Sequence, residues 1–158
     1  MRVLAVAAIA LVGIAGCNDD SGEPRLSKDR WIEQADQICE DEKTDLGGLE
    51  PPDVDPFDET LTPAQLGEIA DYLERSLEVQ DGATDGLDGL GLPDDDAGKI
   101  RNVLDHRRDG KRAVELAIDA ARASDTGQFA VDYRQAVTEY GKASQAAREF
   151  GLEECGQP

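Results

Sequence analysis

Three cysteines, at positions 17, 39 and 155, place the tightest condition on what this chain can fold into. Cys39 lies within "WIEQADQICED" (31–41), a stretch with the spacing of an amphipathic helix. Four roles are open to it: nucleophile, metal ligand, half of a disulfide, or small core residue. The N-terminus narrows them by fixing the compartment. "MRVLAVAAIALVGIAGCNDD" has one basic residue (Arg2), an apolar run from Val3 to Ile14, the small pair Ala15-Gly16, and then Cys17. That order describes a secretory signal peptide over residues 1–16. The run is shorter than the roughly 20 apolar residues of a transmembrane helix. With no twin arginine, the general secretory route is expected.

The end of the signal is more specific. "IAGC" (14–17) resembles the lipobox of bacterial lipoproteins, an aliphatic residue and two small ones before the cysteine that becomes the new N-terminus. The resemblance implies a diacylglycerol thioether and acyl chains such as palmitate on Cys17, with no other cofactor expected. It places the protein on the extracytoplasmic face of the cell membrane, held there through the lipid. One acyl chain anchors only marginally, and two hold stably at about 0.8 kcal/mol per buried CH₂. Residues 17–26 then read as lipidated N-terminus and tether. "NDDSGEPRL" is polar, contains Gly22 and Pro24, and shows no apolar period. At about 3.3 Å per residue it spans roughly 30 Å.

If lipid consumes Cys17, Cys39 and Cys155 remain in an oxidising compartment with one intramolecular pairing open to them. Closing a loop across the 116 residues between them would constrain the unfolded chain by about 4–5 kcal/mol in the loop-entropy account. The rival roles are poorly supplied. Structural zinc takes about four N or S ligands, and the mature chain offers two thiols and one imidazole, His106. A cysteine nucleophile needs a base beside it.

Removing residues 1–16 takes away one base and no acid, leaving 15 basic against 35 acidic side chains and a net charge near −20. Nucleic acid, which is bound through basic contacts to phosphate, is excluded as a partner. Anionic headgroups repel the body too, so contact with the membrane is expected through the anchor alone. Solubility in crowded or salty surroundings is a sufficient reason for such a surface.

Residues 27–158 read as one domain of four helices. The first runs from about Lys28 to Leu46 behind Ser27 as N-cap, with Trp31, Ile32, Ala35, Ile38, Cys39 and Leu46 on one face. "GGLEPPDVDPFDE" breaks the pattern for about 15 residues, up to the start signal "LTPAQL". There Thr62 caps, Pro63 takes the first helical position, Gln65 completes a capping box, and Leu61 and Leu66 have staple spacing. Leu66, Ile69, Ala70, Leu73 and Leu77 form the second stripe. It is expected to weaken after Asp81, where Gly82, Gly86, Gly89 and Gly91 recur, with Leu87 and Leu90 as an extension. "LPDDDAG" opens the third helix, with Asp94 to Asp96 at its positive end. Ile100, Val103, Leu104, Val114, Ala117, Ile118 and Ala121 mark its face to about Ser124, and Gly110 argues against one unbroken helix. Asp125 and Gln128 start the fourth, lined by Phe129, Tyr133, Ala136, Val137, Tyr140, Ser144 and Ala147. Gly151 is placed as C′ and Leu152 as C″. The expected fold is all-α, an up-down four-helix bundle stapled by one disulfide, with the first and fourth helices antiparallel or adjacent.

"RWIEQADQIC" and "YGKASQAAREFGLEEC" resemble a group of small actinobacterial lipoproteins and secreted helical proteins. Their shared pattern is a lipobox, an aromatic-x-x-x-A-D-x-I-C helix, Pro-rich loops and a closing G-L-x-x-C, met here by Trp31, Ala35, Asp36, Ile38, Cys39, Gly151, Leu152 and Cys155. The resemblance implies architecture and location, and brings no biochemical activity with it.

Candidate sites are few. "HRRDGKR" makes the third helix the one basic element of an acidic protein, and Arg107, Arg108, Lys111 and Arg112 form a candidate anion patch. Pairing with neighbouring acidic helices is the competing and favoured reading, each exposed pair being worth little. "DVDPFDE", "DGATDGLDG" and "PDDDAG" raise calcium, but none has the spacing of an EF-hand loop, and no metal ligand set is assigned. No Ser-His pair, glycine-rich phosphate loop or paired carboxylates stand out, so an enzyme is not expected. His106 reads as a partly exposed helix residue. The leading expectation is a membrane-anchored envelope module that binds or scaffolds another envelope protein. The alternative is a small-ligand or ion binder using the bundle interior or the loop at Gly47–Leu61. An apolar cavity between helices would favour the second, and a solid core with an exposed apolar patch the first.

Overall fold

The computed structural model describes residues 26–58, 60–93 and 96–157. The signal peptide, Cys17, nearly all of the tether, and Asp94 and Asp95 lie outside them. Four helices make the fold: α1 (Lys28–Gly47), α2 (Pro63–Gly89), α3 (Ala97–Arg122) and α4 (Thr126–Phe150). Each packs on the next in sequence. Contacts run antiparallel at every step: Trp31 reaches Gly91 while Ile38 meets Gly86, Arg108 meets Asp88 while Arg122 meets Asp71, and Asn102 lies near Glu149 while Gly110 lies under Tyr140. The bundle is therefore up-down, and α1 is antiparallel to α4.

The starts form where short-range chemistry placed them. The Ser27 hydroxyl accepts from the Arg30 N–H. Thr62 and Gln65 close a reciprocal capping box, behind which Leu61 and Leu66 are both buried. Asp125 accepts from the Gln128 N–H at 3.0 Å. At the end of α4, Gly151 adopts φ +106°, the left-handed conformation that costs glycine least. The Leu152 N–H reaches the Ala147 carbonyl and Leu152 is buried, completing a Schellman closure. The three-residue turn from α3 to α4 repeats that closure, with Asp125 N–H on the Ala120 carbonyl and Ser124 at φ +59° in the glycine position.

Cys39 and Cys155 form the disulfide, their Cα atoms 5.1 Å apart. It is one of several ties between α1 and the C-terminal tail. The Asp36 carboxylate, one turn before Cys39, accepts from the backbone N–H groups of Glu153 (3.1 Å), Glu154 (2.9 Å) and Cys155 (3.4 Å). Trp31 is fully buried, stands edge-on to Phe150 at 5.7 Å, and donates its indole N–H to the Gly91 carbonyl at 2.7 Å. Asp36 and Trp31 thus explain two positions of the sequence signature through packing.

Two expectations of interruption fail. α2 continues unbroken to Gly89, because Ala83 and Leu87 are buried and Gly86 lets α1 approach until Ile38 lies 3.4 Å from where a Cβ would stand. Tertiary packing outweighs the loss of about 1 kcal/mol that a glycine imposes on a helix. Gly110 likewise sits inside a continuous α3, where a Cβ would fall 2.9 Å from the Tyr140 ring. The face of α4 is also rotated from the expected one. Val137 is 51% exposed, while Glu139 and Ala143 are buried.

The core is in two parts. At one end Trp31, Ala35, Cys39, Leu87, Ile100, Leu104, Phe150 and Leu152 fill the space among all four helices. At the other, Leu66, Ile69, Leu73, Val114, Ala117 and Phe129 pack among α2, α3 and α4 only. α1 has ended by that level, and the loop after it contributes Val54 and Phe57, whose ring lies 5.3 Å from Tyr133.

The two glycine environments predict opposite signs. A Cβ on Gly82, exposed within α2, meets nothing within 4 Å. Gly82→Ala should raise the unfolding free energy by about 0.5–1 kcal/mol in urea titration. Gly110→Ala should lower it by about 1–3 kcal/mol as the added carbon displaces the Tyr140 ring.

Candidate functional site

Between the two cores lies a polar layer built around Arg107. The sequence puts this residue in a basic stripe, but the fold turns it inward, 8% exposed. Its guanidinium donates to Glu42 of α1 at 2.6 Å, to the Thr84 hydroxyl at 2.9 Å and to the Gln80 carbonyl at 3.3 Å. One side chain of α3 thereby ties α1 to α2 at mid-height. Its patch neighbours are engaged elsewhere. Arg108 pairs with Asp88 and Asp105, Lys111 with Asp81, and Arg112 with Asp109. All four side chains of the candidate anion patch thus have a carboxylate beside them.

The acidic stretches are also redistributed. "DGATDGLDG" belongs to helix α2, with Asp81 and Asp88 held by bases of α3. Asp96 precedes α3 but makes no side-chain cap. Its carboxylate lies between Lys28 and Lys99, and a hydrogen bond from Lys99 is the main influence drawing its pKa down.

His106, Asp109 and Glu139 bring one metal-competent atom each within 4.8 Å of one another, the only such trio found among the described residues. Sequence spacing gave no hint of it, since Glu139 comes from α4. Glu139 already accepts from His106 (2.8 Å), Gln135 (2.8 Å) and Lys142 (2.8 Å), and Asp109 from Arg112. The arrangement acts as a charge network that satisfies a buried carboxylate. Lys142 first, and then His106, hold the Glu139 carboxyl below its usual range.

The main concavity lies between α2 and α4, immediately beyond the end of α1. It is a groove of about 480 Å³, walled by Leu46, Leu73, Val114, Ala136 and Val137. All three tyrosines of the chain line it: Tyr72, Tyr133 and Tyr140. Ser76, Gln80, Ser144 and Arg148 supply its other polar groups. No described residue of the loop 47–61 lines it, so this groove belongs to the bundle interior and not to the loop. A second hollow of about 330 Å³ adjoins it at Leu46, Gln80, Tyr140 and Ser144 and is floored by Glu42 and Arg107. Tyr140 is partly buried, and burial pushes its phenol pKa further above an ordinary value that already leaves it protonated at physiological pH. Burial also raises Tyr133. Among the described residues none of the three phenolic oxygens has a hydrogen-bond partner.

The groove was not visible in the sequence. Tyr133 and Tyr140 read as part of the α4 core face, and Tyr72 fell outside the α2 stripe. Their one shared signal, that every tyrosine lies on α2 or α4, has meaning only once the two helices are seen to flank a gap. No helix among the described residues is long and apolar enough to cross a membrane. No protein-family model, curated protein or solved structure matches the chain.

Two contrasts test the polar layer. Arg107→Ala should cost about 3 kcal/mol by stranding the largely shielded Glu42 carboxylate, whereas Arg108→Ala should stay within about 0.5 kcal/mol in the same denaturant titration. The second contrast is in pH. A carboxyl whose folded pKa is depressed contributes stability above its unfolded value, 4.5 for Glu139, and loses it as pH falls through the folded value. The stability gap between the wild type and Glu139→Gln should therefore be full at neutral pH and close in acid, below the ordinary glutamate range.

Proposed function

We propose that this chain is an exported lipoprotein, held by acyl chains on Cys17 at the extracytoplasmic face of the cell membrane, whose bundle binds a small ligand in the groove between α2 and α4. The observation that carries the ligand reading is the groove itself, an apolar-walled space of about 480 Å³ with hydroxyls, an amide and a guanidinium around it. Its size falls in the 300–1,000 Å³ range of small-molecule sites. The lining supplies groups that hold and orient a molecule, so the role is binding without catalysis. Of the two readings the sequence left open, a cavity between helices favours a ligand over a scaffold for another envelope protein.

The tether reading rests on the signal and lipobox residues alone. The start of α1 stands at the tethered end of the bundle, with Lys28 beside Asp96 and Phe150. Leu46, at the rim of the groove, lies roughly 27 Å further along α1 at 1.5 Å per residue. A tethered bundle standing upright would thus hold the groove away from the lipid, open to molecules in the envelope space.

The two halves are tested separately. Cys17→Ser should move the protein from the membrane to the soluble fraction; wild-type protein already soluble would overturn the tether. Full-length Cys17→Ser protein, free of acyl chains, should bind the neutral fluorophore N-phenyl-1-naphthylamine at one saturable site. Gly141 lines the groove, and a Cβ there meets nothing within 4 Å. Gly141→Phe should fill the space and abolish binding without lowering the Tm. Binding that ignores this substitution would overturn the groove as the site.

A further inference from the structure

The groove has a charge character opposite to that of the protein around it. The chain carries 35 acidic residues against 16 basic ones, yet none of the residues lining the groove is an aspartate or glutamate. The one charged side chain in the lining is Arg148. Most described bases are paired with a carboxylate, but among the described residues Arg148 has no carboxylate partner within salt-bridge distance. It donates one N–H to the Gly156 carbonyl, leaving the rest of its donor fork uncommitted.

The three acids whose charges act on Tyr140 are each beside a base. Glu42 is held by Arg107, and Asp81 by Lys111, with Glu115 a further 3.9 Å contact of Lys111. Asp55, beside Tyr133, accepts from the Phe57 N–H. The lining is also rich in donors. Tyr72, Tyr133 and Tyr140 bring three phenolic O–H groups with no protein acceptor among the described residues. The Gln80 side-chain amide is likewise unengaged there. Ser76 and Ser144, by contrast, turn their hydroxyls to the Tyr72 and Gln157 carbonyls. A ligand that satisfies this surface brings acceptor oxygens, and one that brings a cation finds no carboxylate among the lining residues.

We infer that the ligand is a small amphipathic carboxylic acid, its apolar body lying along Leu46, Leu73, Val114, Ala136 and Val137 and its carboxylate taken at the Arg148 end of the groove, by that guanidinium and the Tyr140 hydroxyl two turns before it on α4. This rests on the groove being the binding site, and adds which chemistry it selects. The guanidinium supplies a charge-assisted hydrogen bond, stronger than neutral ones, and the protonated Tyr140 phenol donates without competing for charge. Selectivity here is a local property. The field of the whole molecule, at a formal charge of −19, favours cations, and it is screened beyond about 8 Å at physiological ionic strength. A preference for an anion therefore reports the groove and not the surface.

Three ligands with the same ten-carbon body and different heads, decanoate, decanol and decylammonium, separate the outcomes. Each is titrated below its aggregation limit against bound N-phenyl-1-naphthylamine on full-length Cys17→Ser protein at 0.15 M salt. Decanoate should displace the fluorophore with an affinity at least about tenfold above that of decylammonium, with decanol between them, which corresponds to about 1.4 kcal/mol. Arg148→Gln should weaken decanoate by about tenfold, leave decanol unchanged and be partly rescued by Arg148→Lys. Tyr140→Phe, which keeps the ring, should weaken decanoate more than decanol. Equal affinity for the three, or a preference for decylammonium, would overturn the carboxylate assignment and leave the groove reading intact. A fluorophore that no ten-carbon probe displaces and that Gly141→Phe does not expel would overturn both.

Discussion

Twenty residues of α1 rise about 30 Å, and the 27 residues of α2 about 40 Å. A four-helix bundle with one short member cannot be closed along its whole length, and the rest of the architecture answers that mismatch. Where α1 is present, four helices enclose Trp31, Leu104 and Phe150. Where it has ended, three helices enclose Phe129, and part of α2 and α4 is left facing open space. The groove occupies that space. The loop after α1 covers the distal core with Val54 and Phe57 but leaves the strip between Leu46 and Tyr133 uncovered.

A short helix at the side of a bundle buries less than its neighbours and has to be held by specific contacts. The disulfide, the Asp36 carboxylate on three tail N–H groups, the Trp31 indole on Gly91 and the Glu42 carboxylate on Arg107 are spaced along α1 from Trp31 in its first turn to Glu42, five residues before its end. All four are polar or covalent and directional, so they set the position of α1 along the bundle axis as well as its attachment. That position determines how much of the groove is exposed. Arg107 is the costliest of these ties, because a buried ion pair is favourable only while both partners remain.

The charge pattern follows a similar logic. α3 gathers bases in a chain dominated by acids, and its Arg108, Lys111 and Arg122 each meet a carboxylate of α2. Pairing of this kind adds little stability at an exposed site, but it keeps like charges from facing one another across the helix interfaces. Asp81, one of the carboxylates so engaged, is also one whose charge acts on Tyr140 of the groove.

What the sequence determined by itself was whatever depends on neighbours along the chain or on simple counting. Ser27, Thr62-Pro63-Gln65 and Asp125 marked helix starts because a cap is made within three residues. Gly151-Leu152 marked an end for the same reason, and reading Cys17 as the lipid site left one pair of cysteines and one bridge to make. Only the tertiary structure decided the rest. Glycines at 82, 86 and 89 weaken an isolated helix, and their place in α2 depends on the burial of Ala83 and Leu87 and the approach of Ile38. Val137 and Glu139 exchanged expected roles because the buried face of α4 is chosen by where α3 lies, and His106 and Lys142 make a buried carboxylate tolerable. Arg107 reads as one base among several until Glu42 arrives from 65 residues away. The groove belongs to no local pattern at all. It arises because α1 is shorter than the helices beside it, so that α2 and α4 flank a gap where it has ended, which is a property of their packing together.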